Sequence, residues 1–249
     1  MSEHTNFILT PLSRILDEAT CAVMRLPDGM ESIPLVDYLF HSIFLKMTGA
    51  QEQKFKCICW EIATRDYEFR YKWLEGKSDA KIGGCSTLED KNRVYQLIVN
   101  HLYAPDATKY ANFDHEYSGK RGDIVKTTKK NIERFYSNSL LKPTSRLFNA
   151  YKDIVKQIDA NSIIKNNGIF SKKEINGYSL DQVYGDYLYR HRNRCAHNLL
   201  SYQTNFYSFD RLREDNHIFD NYYLFYFMLI LIDEVVTLTY RQLMEKENW

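Results

Sequence analysis

The chain has 249 residues, and its 33 Lys and Arg stand against 32 Asp and Glu, which gives a formal net charge of +1. This balance excludes a protein that coats nucleic acid through bulk positive charge, but it is compatible with a local basic site. Apolar residues make up 44% of the chain, whereas Gly and Pro number only 10 and 5. A turn-rich β fold needs more of both, so the composition predicts an all-α fold.

The first residues carry no basic segment followed by an apolar core, so the sequence predicts no secretory signal. The longest apolar run covers residues 222–232, about half of the roughly 20 residues that a membrane-spanning helix needs. It therefore predicts a buried helix and no membrane contact. The 5 cysteines show no disulfide-framework spacing, which fits reduced thiols in the cytoplasm.

In the first half of the chain, apolar residues recur at i, i+3 and i+4, the spacing of an amphipathic helix. They predict helices over residues 12–25, 33–47 and 51–74. Pro27 is expected to end the first helix, Gly49 to cap the second, and residues 76–84 to form a polar loop. A capping-box pattern at residues 86–89 opens a fourth helix that runs to about Tyr103.

The second half begins with residues 104–122, which we expect to be an irregular insertion because they contain Pro105, Gly119 and Gly122. Helices follow over residues 124–141 and 145–158, and residues 161–178 form a long loop or, alternatively, a small hairpin. A second capping box, Ser179 with Gln182, opens a seventh helix.

The last helix, over residues 219–245, follows a polar connection at residues 203–216. Its first half is apolar nearly all round, so neighbouring elements must cover it on most sides. We expect residues 1–249 to form one helical domain with loop insertions. A division near residue 161 is the alternative.

Residues 190–197 carry the strongest chemical signal, because three arginines and two histidines fall within this short segment. Such a cluster repels itself unless an anion lies nearby. Arginine offers a fork of donors that matches phosphate, and histidine exchanges protons near neutral pH. Phosphodiester cleavage needs both functions, so the segment indicates a nucleic-acid site.

Within this segment, Arg192, Asn193, Ala196 and His197 form the pattern Arg-Asn-x-x-Ala-His, which resembles the signature of the HEPN superfamily. The resemblance implies a helical bundle with the motif on a late helix, before a strongly apolar final helix. It also implies a metal-independent endoribonuclease of a defence or toxin system. Such enzymes form homodimers in which two motifs line one cleft, with an antitoxin or defence-system protein as a further partner. Other members are catalytically inactive modules that bind RNA, nucleotide or a partner protein.

The resemblance suggests a role for each motif residue. The 2′-hydroxyl of RNA would attack the adjacent phosphate and leave a 2′,3′-cyclic phosphate. His197 would act as general acid or base, Arg192 would stabilise charge on the phosphate oxygens, and Asn193 would orient His197 or the phosphate. Arg190 and Arg194 would bind the RNA.

Helix geometry sets a constraint on this site. At about 100° per residue, Arg192 and His197 lie roughly 140° apart around a straight helix. Arg190, Asn193 and Arg194 share one stripe with His197, and Arg192 flanks it. A local distortion of the helix, or a second subunit across a dimer axis, would bring both required groups to one phosphate.

Further RNA contacts are expected from a basic stretch that contains Lys126, Lys129 and Lys130, for which a solvated helix face is the alternative. No metal or cofactor is expected. Cys57 and Cys59 lack a second ligand pair, and the chain has neither a His-x-x-x-His pattern nor a glycine-rich phosphate loop. The remaining alternative is a structural helical protein in which the motif is coincidental.

Overall fold

The computed structural model describes residues 2–23, 33–77, 82–103, 113–137, 139–165, 167–197 and 219–246. These residues are mainly helical, so the all-α class is confirmed. The predicted stop at Pro27, the start of the expected insertion at residues 104–112 and the polar connection at residues 203–216 lie outside the described residues.

Among the described residues, seven α-helices precede the strands: α1 Glu3–Leu9, α2 Arg14–Val23, α3 Ile33–Arg65, α4 Tyr67–Leu74, α5 Leu88–Tyr103, α6 Phe113–Tyr136 and α7 Ser145–Val155. Short 3-10 helices lie at Ser139–Thr144 and Ala160–Ser162. The strands are β1 Ile163–Lys165, β2 Gly168–Phe170, β3 Glu174–Ile175 and β4 Tyr178–Ser179. After them come α8 Leu180–Val183, a π-helix at Tyr184–Tyr189, α9 Arg190–His197 and α10 Tyr222–Lys246.

The helix α3 runs through Gly49 without a break. The prediction of a C-cap at Gly49 was therefore wrong. A glycine inside a helix costs only about 1 kcal/mol, and the burial of Met47 and Gln51 on either side outweighs this loss. The chain breaks instead at Asp66, whose carboxylate accepts a hydrogen bond from the Phe69 N–H at 2.9 Å and caps α4.

The helix α6 begins at Phe113 and includes Gly119 and Gly122. The irregular insertion predicted up to residue 122 is thus wrong for residues 113–122. Phe113, Tyr117 and Arg121 recur every fourth residue and are all buried. This buried stripe stabilises the helix enough to offset two glycines.

Residues 161–178 form hairpins rather than a long loop, which confirms the alternative interpretation of this segment. Strand β1 pairs antiparallel with β2, and β3 pairs antiparallel with β4. Asn176 and Gly177 join β3 to β4 with φ values of +51° and +80°. Two successive positive φ values define a type I′ turn, for which Asn-Gly is the favoured sequence.

The helix α10 lies at the centre of the core. It packs against α1, α3, α5, α6, α7 and β2, and every residue from Tyr222 to Asp233 is buried. The prediction that neighbours cover this helix on most sides is confirmed. Among the described helices, α10 alone is long and apolar enough to cross a membrane, but 83% of its apolar window is buried inside the protein. A core helix passes the same test of length and composition.

Candidate functional site

A capping box starts the chain segment that leads to the motif, as predicted. The Gln182 N–H donates to Ser179 Oγ at 3.3 Å, and the Ser179 N–H donates to Gln182 Oε1 at 2.8 Å. The following π-helix, Tyr184–Tyr189, was not predicted. A π turn holds more residues than an α turn, so it changes the direction in which the side chains of α9 point relative to α8. This distortion lies before the motif, so it does not alter the angle between positions 192 and 197, which both belong to the regular helix α9.

The helix α9 has an inner and an outer face. The inner face carries His191 and Cys195, four residues apart, which are 3% and 0% exposed. Arg190, with 66% of its side chain exposed, and Ala196 lie on the outer face. The inner face packs against α3 and α10, and this packing orients the whole motif.

Arg192 lies at the border between the two faces and is held by Glu52 of α3. Its Nε donates to Glu52 Oε1 at 3.1 Å, and its Nη2 donates to Glu52 Oε2 at 3.0 Å. The two side chains are 23% and 14% exposed. Arg192 Nη1 also donates to Asn193 Oδ1 at 3.1 Å. The structure thus joins two of the predicted catalytic residues into one unit, and a bidentate ion pair fixes its geometry.

Beneath this ion pair lies a buried lysine, Lys91 of α5. Its ammonium donates to Gln51 Oε1 at 2.7 Å and to the hydroxyl of Tyr184 in the π-helix. Burial lowers the pKa of Lys91 to about 7, although the Glu52 carboxylate opposes this shift. Gln51 in turn donates to the Leu229 carbonyl at 2.7 Å. The network connects α3, α5, α10 and the π-helix behind Arg192.

The inner face ends in a cluster of uncharged polar groups. His191 Nε2 hydrogen-bonds with the Tyr222 hydroxyl at 2.9 Å and lies 3.5 Å from Cys195 Sγ. Burial lowers the pKa of His191 to about 3 and raises the pKa of Cys195 to about 12. His41 of α3 lies beside them, with its ring centroid 6.1 Å from that of His191. Both titratable groups of α9 on this face are therefore neutral at pH 7.

Two further arginines of this segment, Arg190 and Arg194, lie along the outer side of α9. Arg190 pairs with Asp186 at 3.4 Å, one helical turn earlier, and Arg194 is half-buried. The backbone of His197 belongs to α9, but its side chain lies outside the described part of the structure. The role predicted for His197 stays a prediction.

The predicted basic stretch lies on α6. Lys126 and Lys130 are exposed, whereas Lys129 is half-buried and donates to the Ile158 carbonyl at 2.9 Å. Burial lowers the pKa of Lys129. The helix α6 packs mainly against α10, with the 3-10 helix Ala160–Ser162, α2 and β1 as further neighbours, whereas α9 packs on α3. The structure thus brings Arg192 and Asn193 together but does not add these lysines to that unit.

Sequence reasoning missed Glu52, Lys91 and His41. Glu52 and Lys91 occupy ordinary positions in amphipathic helices, and their partners lie far away along the chain: 140 residues separate Glu52 from Arg192. The spacing of His191 and Cys195 at i and i+4 was visible, and it placed two polar groups on one helix face. Comparison with known proteins adds no assignment, because no family model, curated protein or solved structure matches this chain.

Proposed function

We propose that this chain is an endoribonuclease of the HEPN type, which cleaves RNA by attack of the 2′-hydroxyl and uses no metal ion in the chemistry. The observation that carries the proposal is the unit formed by Arg192 and Asn193 at the edge of the outer face, with Glu52 fixing the guanidinium. Hydrogen-bond donors that are already oriented are what a phosphate needs as charge builds up on its oxygens.

Arg192 retains capacity to bind a phosphate. Its contacts with Glu52 and Asn193 use three of the five guanidinium N–H groups. The other two N–H groups would donate to the phosphate oxygens. Glu52 acts as a positioning residue in this scheme, because it holds the guanidinium plane without touching the substrate.

Asn193 and His197 complete the proposed chemistry. Since Asn193 Oδ1 accepts from Arg192, the amide nitrogen of Asn193 is the group that would orient the phosphate or the His197 ring. His197 would remove the proton from the 2′-hydroxyl or protonate the leaving 5′-oxygen. Arg190 and Arg194 would bind neighbouring phosphates along the outer face.

A second copy of the chain would complete the cleft. Positions 192 and 197 lie roughly 140° apart around α9, so these two backbone positions of one copy do not share a face of the helix. We therefore propose a homodimer, with twice the 29.6 kDa mass of the chain in light scattering. Activity in a defence or toxin system predicts growth arrest on expression and relief of the arrest by His197→Ala.

A second candidate function is supported by the same ion pair. Glu52 neutralises the charge of Arg192 and occupies one edge of its guanidinium. A site of this kind also suits a catalytically inactive module that binds RNA, nucleotide or a partner protein. RNA binding without cleavage would select this second function.

The test is cleavage of a labelled single-stranded RNA with EDTA in place of divalent ions. We expect the wild-type chain to cut RNA and to leave the DNA of the same sequence intact, because DNA lacks the 2′-hydroxyl. Arg192→Ala and His197→Ala should lose the activity. Arg14→Ala, which removes an exposed arginine of α2, is the matched control and should retain it. Equal cleavage by all four proteins would refute the proposal.

A further inference from the structure

The inner face of α9 contains three side chains that are typical ligands of thiophilic metal ions. One ligand atom each from His41, His191 and Cys195 lies within 4.8 Å of the other two. Zinc–sulfur bonds of about 2.3 Å and zinc–nitrogen bonds of about 2.0–2.1 Å place tetrahedral ligands about 3.3–3.7 Å apart. The three atoms are thus within about 1.5 Å of the spacing that a zinc ion requires.

His191 has an unmet bonding requirement at this place. Its Nε2 hydrogen-bonds with the Tyr222 hydroxyl, but its Nδ1 is buried and has no hydrogen-bond partner among the described residues. His191 is only 3% exposed. A buried nitrogen without a partner costs about 1–3 kcal/mol. Coordination through Nδ1 would give this nitrogen a partner and leave Nε2 bonded to Tyr222.

His41 is already oriented as a ligand. Its Nδ1–H donates to the Asp37 carbonyl at 2.9 Å, and the Asp37 carboxylate lies 3.8 Å from the same nitrogen. In the neutral ring, this contact fixes the proton on Nδ1 and gives Nε2 the lone pair. Metal-binding histidines are commonly held by a carbonyl or carboxylate in this way. Asp37 also offers the negative charge that would balance a bound cation.

The surroundings suit a soft ion rather than Mg²⁺ or Ca²⁺. The ring of His191 packs between Phe44 and Phe225, with centroid distances of 5.1 and 5.5 Å. Cys195 is 0% exposed. A dry set of two imidazoles and one thiolate favours zinc or a similar ion, whereas magnesium and calcium favour oxygen ligands and water.

We propose that His41, His191 and Cys195 bind one structural zinc ion, which ties α9 to α3 on the side opposite the exposed Arg190. Binding replaces the thiol proton of Cys195 with the metal and releases that proton to solvent, so the thiolate–zinc bond forms as the S–H bond breaks. A water molecule brought in by the zinc ion would complete the tetrahedron, since Tyr222 keeps its hydrogen bond with His191 Nε2. This site is independent of the proposed ribonuclease chemistry.

The experiment uses the full chain, freed of metal by a chelator and then titrated with Co²⁺ as a spectroscopic probe. We expect one cobalt ion per chain, with visible bands of tetrahedral geometry and a thiolate-to-cobalt charge-transfer band. Cys195→Ser should abolish the charge-transfer band, and Zn²⁺ should displace the cobalt. Cys21→Ser, which removes the exposed cysteine, is the matched control and should keep both bands.

Two further results keep the test decisive if Cys195→Ser fails to fold. His41→Gln changes a side chain that is 15% exposed, less deeply buried than Cys195, and it should weaken Zn²⁺ binding by at least about 10-fold. Zn²⁺ should also raise the melting temperature of the wild-type protein and of Cys21→Ser, but not that of His41→Gln at the same concentration. Absence of saturable cobalt binding, or an unchanged spectrum in Cys195→Ser, would overturn the proposal.

Discussion

The two sides of α9 show how burial acts in opposite directions on protonation. On the inner face, burial moves the pKa of His191 down to about 3 and that of Cys195 up to about 12, so both groups are locked in neutral forms. Behind the outer face, burial moves the pKa of Lys91 down to about 7, into the physiological range. The same physical cause keeps the inner face uncharged in the metal-free protein and places a titrating charge behind Arg192. The inner face therefore anchors the helix, and the outer face is the side suited to chemistry.

The largest expected effect comes from placing a charge on each face in turn. Cys195→Asp puts a carboxylate into a fully buried position and should reduce the free energy of unfolding by about 4 kcal/mol or more. Ala196→Asp places the same charge on the exposed neighbouring position and should change it by less than about 0.5 kcal/mol. Urea unfolding followed by circular dichroism measures both. Similar losses from the two variants would remove the distinction between the faces.

The second prediction concerns the pH dependence that Lys91 contributes. Its folded pKa of about 7 lies below the ordinary value of 10.5, so between these values the unfolded chain binds the proton and the folded chain does not. The contribution of Lys91 to stability should therefore rise with pH above 7, by up to about 1.4 kcal/mol per pH unit, and level off near the ordinary value. In Lys91→Met this contribution should disappear. Parallel stability curves for the two proteins between pH 7 and pH 10 would contradict the shifted pKa.

The third prediction concerns the strength of the ion pair between Glu52 and Arg192. In a double-mutant cycle, Glu52→Ala and Arg192→Ala should show a coupling energy of about 1–2 kcal/mol, because the pair is bidentate and largely buried. The exposed pair of Arg190 with Asp186 is the matched control and should couple by less than about 0.5 kcal/mol. If both pairs couple equally weakly, Glu52 does not position Arg192.

The smallest expected effect is a gain in stability that leaves the candidate site unchanged. Gly49 is exposed within α3, and an added Cβ would meet no atom within 4 Å. Gly49→Ala should raise the free energy of unfolding by about 0.5–1 kcal/mol. Since α3 carries Glu52 and His41 but this position touches neither face of α9, RNA cleavage should stay unchanged. A destabilised Gly49→Ala protein would mean that this part of α3 is not a regular helix in solution.

The sequence predicted those features that depend on neighbouring residues. The capping box at Ser179 and the covered helix α10 follow from local patterns, and both are confirmed. The C-cap predicted at Gly49 and the irregular structure predicted for residues 113–122 were wrong, because burial of the surrounding residues outweighs the local preference of glycine. Glycine signals a break only where no buried stripe continues past it.

The candidate site was predictable only as a stretch of chain. The motif pointed to Arg192 and Asn193, but the contact of Arg192 with Glu52 joins residues 140 positions apart. The π-helix before the motif has no local signature comparable to a capping box. Long-range contacts also bring His41 to His191 and Cys195, so this cluster on the inner face can be recognised only in the folded structure.

Cleavage of RNA through the 2′-hydroxyl is the reaction that we propose for the outer face of α9. The most direct measurement uses a DNA strand with a single ribonucleotide, incubated with EDTA and analysed for the position and chemistry of the cut. We expect one cut, on the 3′ side of the ribonucleotide, with a 2′,3′-cyclic phosphate end, and a rate that falls by at least about 100-fold in Arg192→Ala. An uncut strand, cuts elsewhere in the DNA, or an equal rate in Arg192→Ala would contradict this proposal.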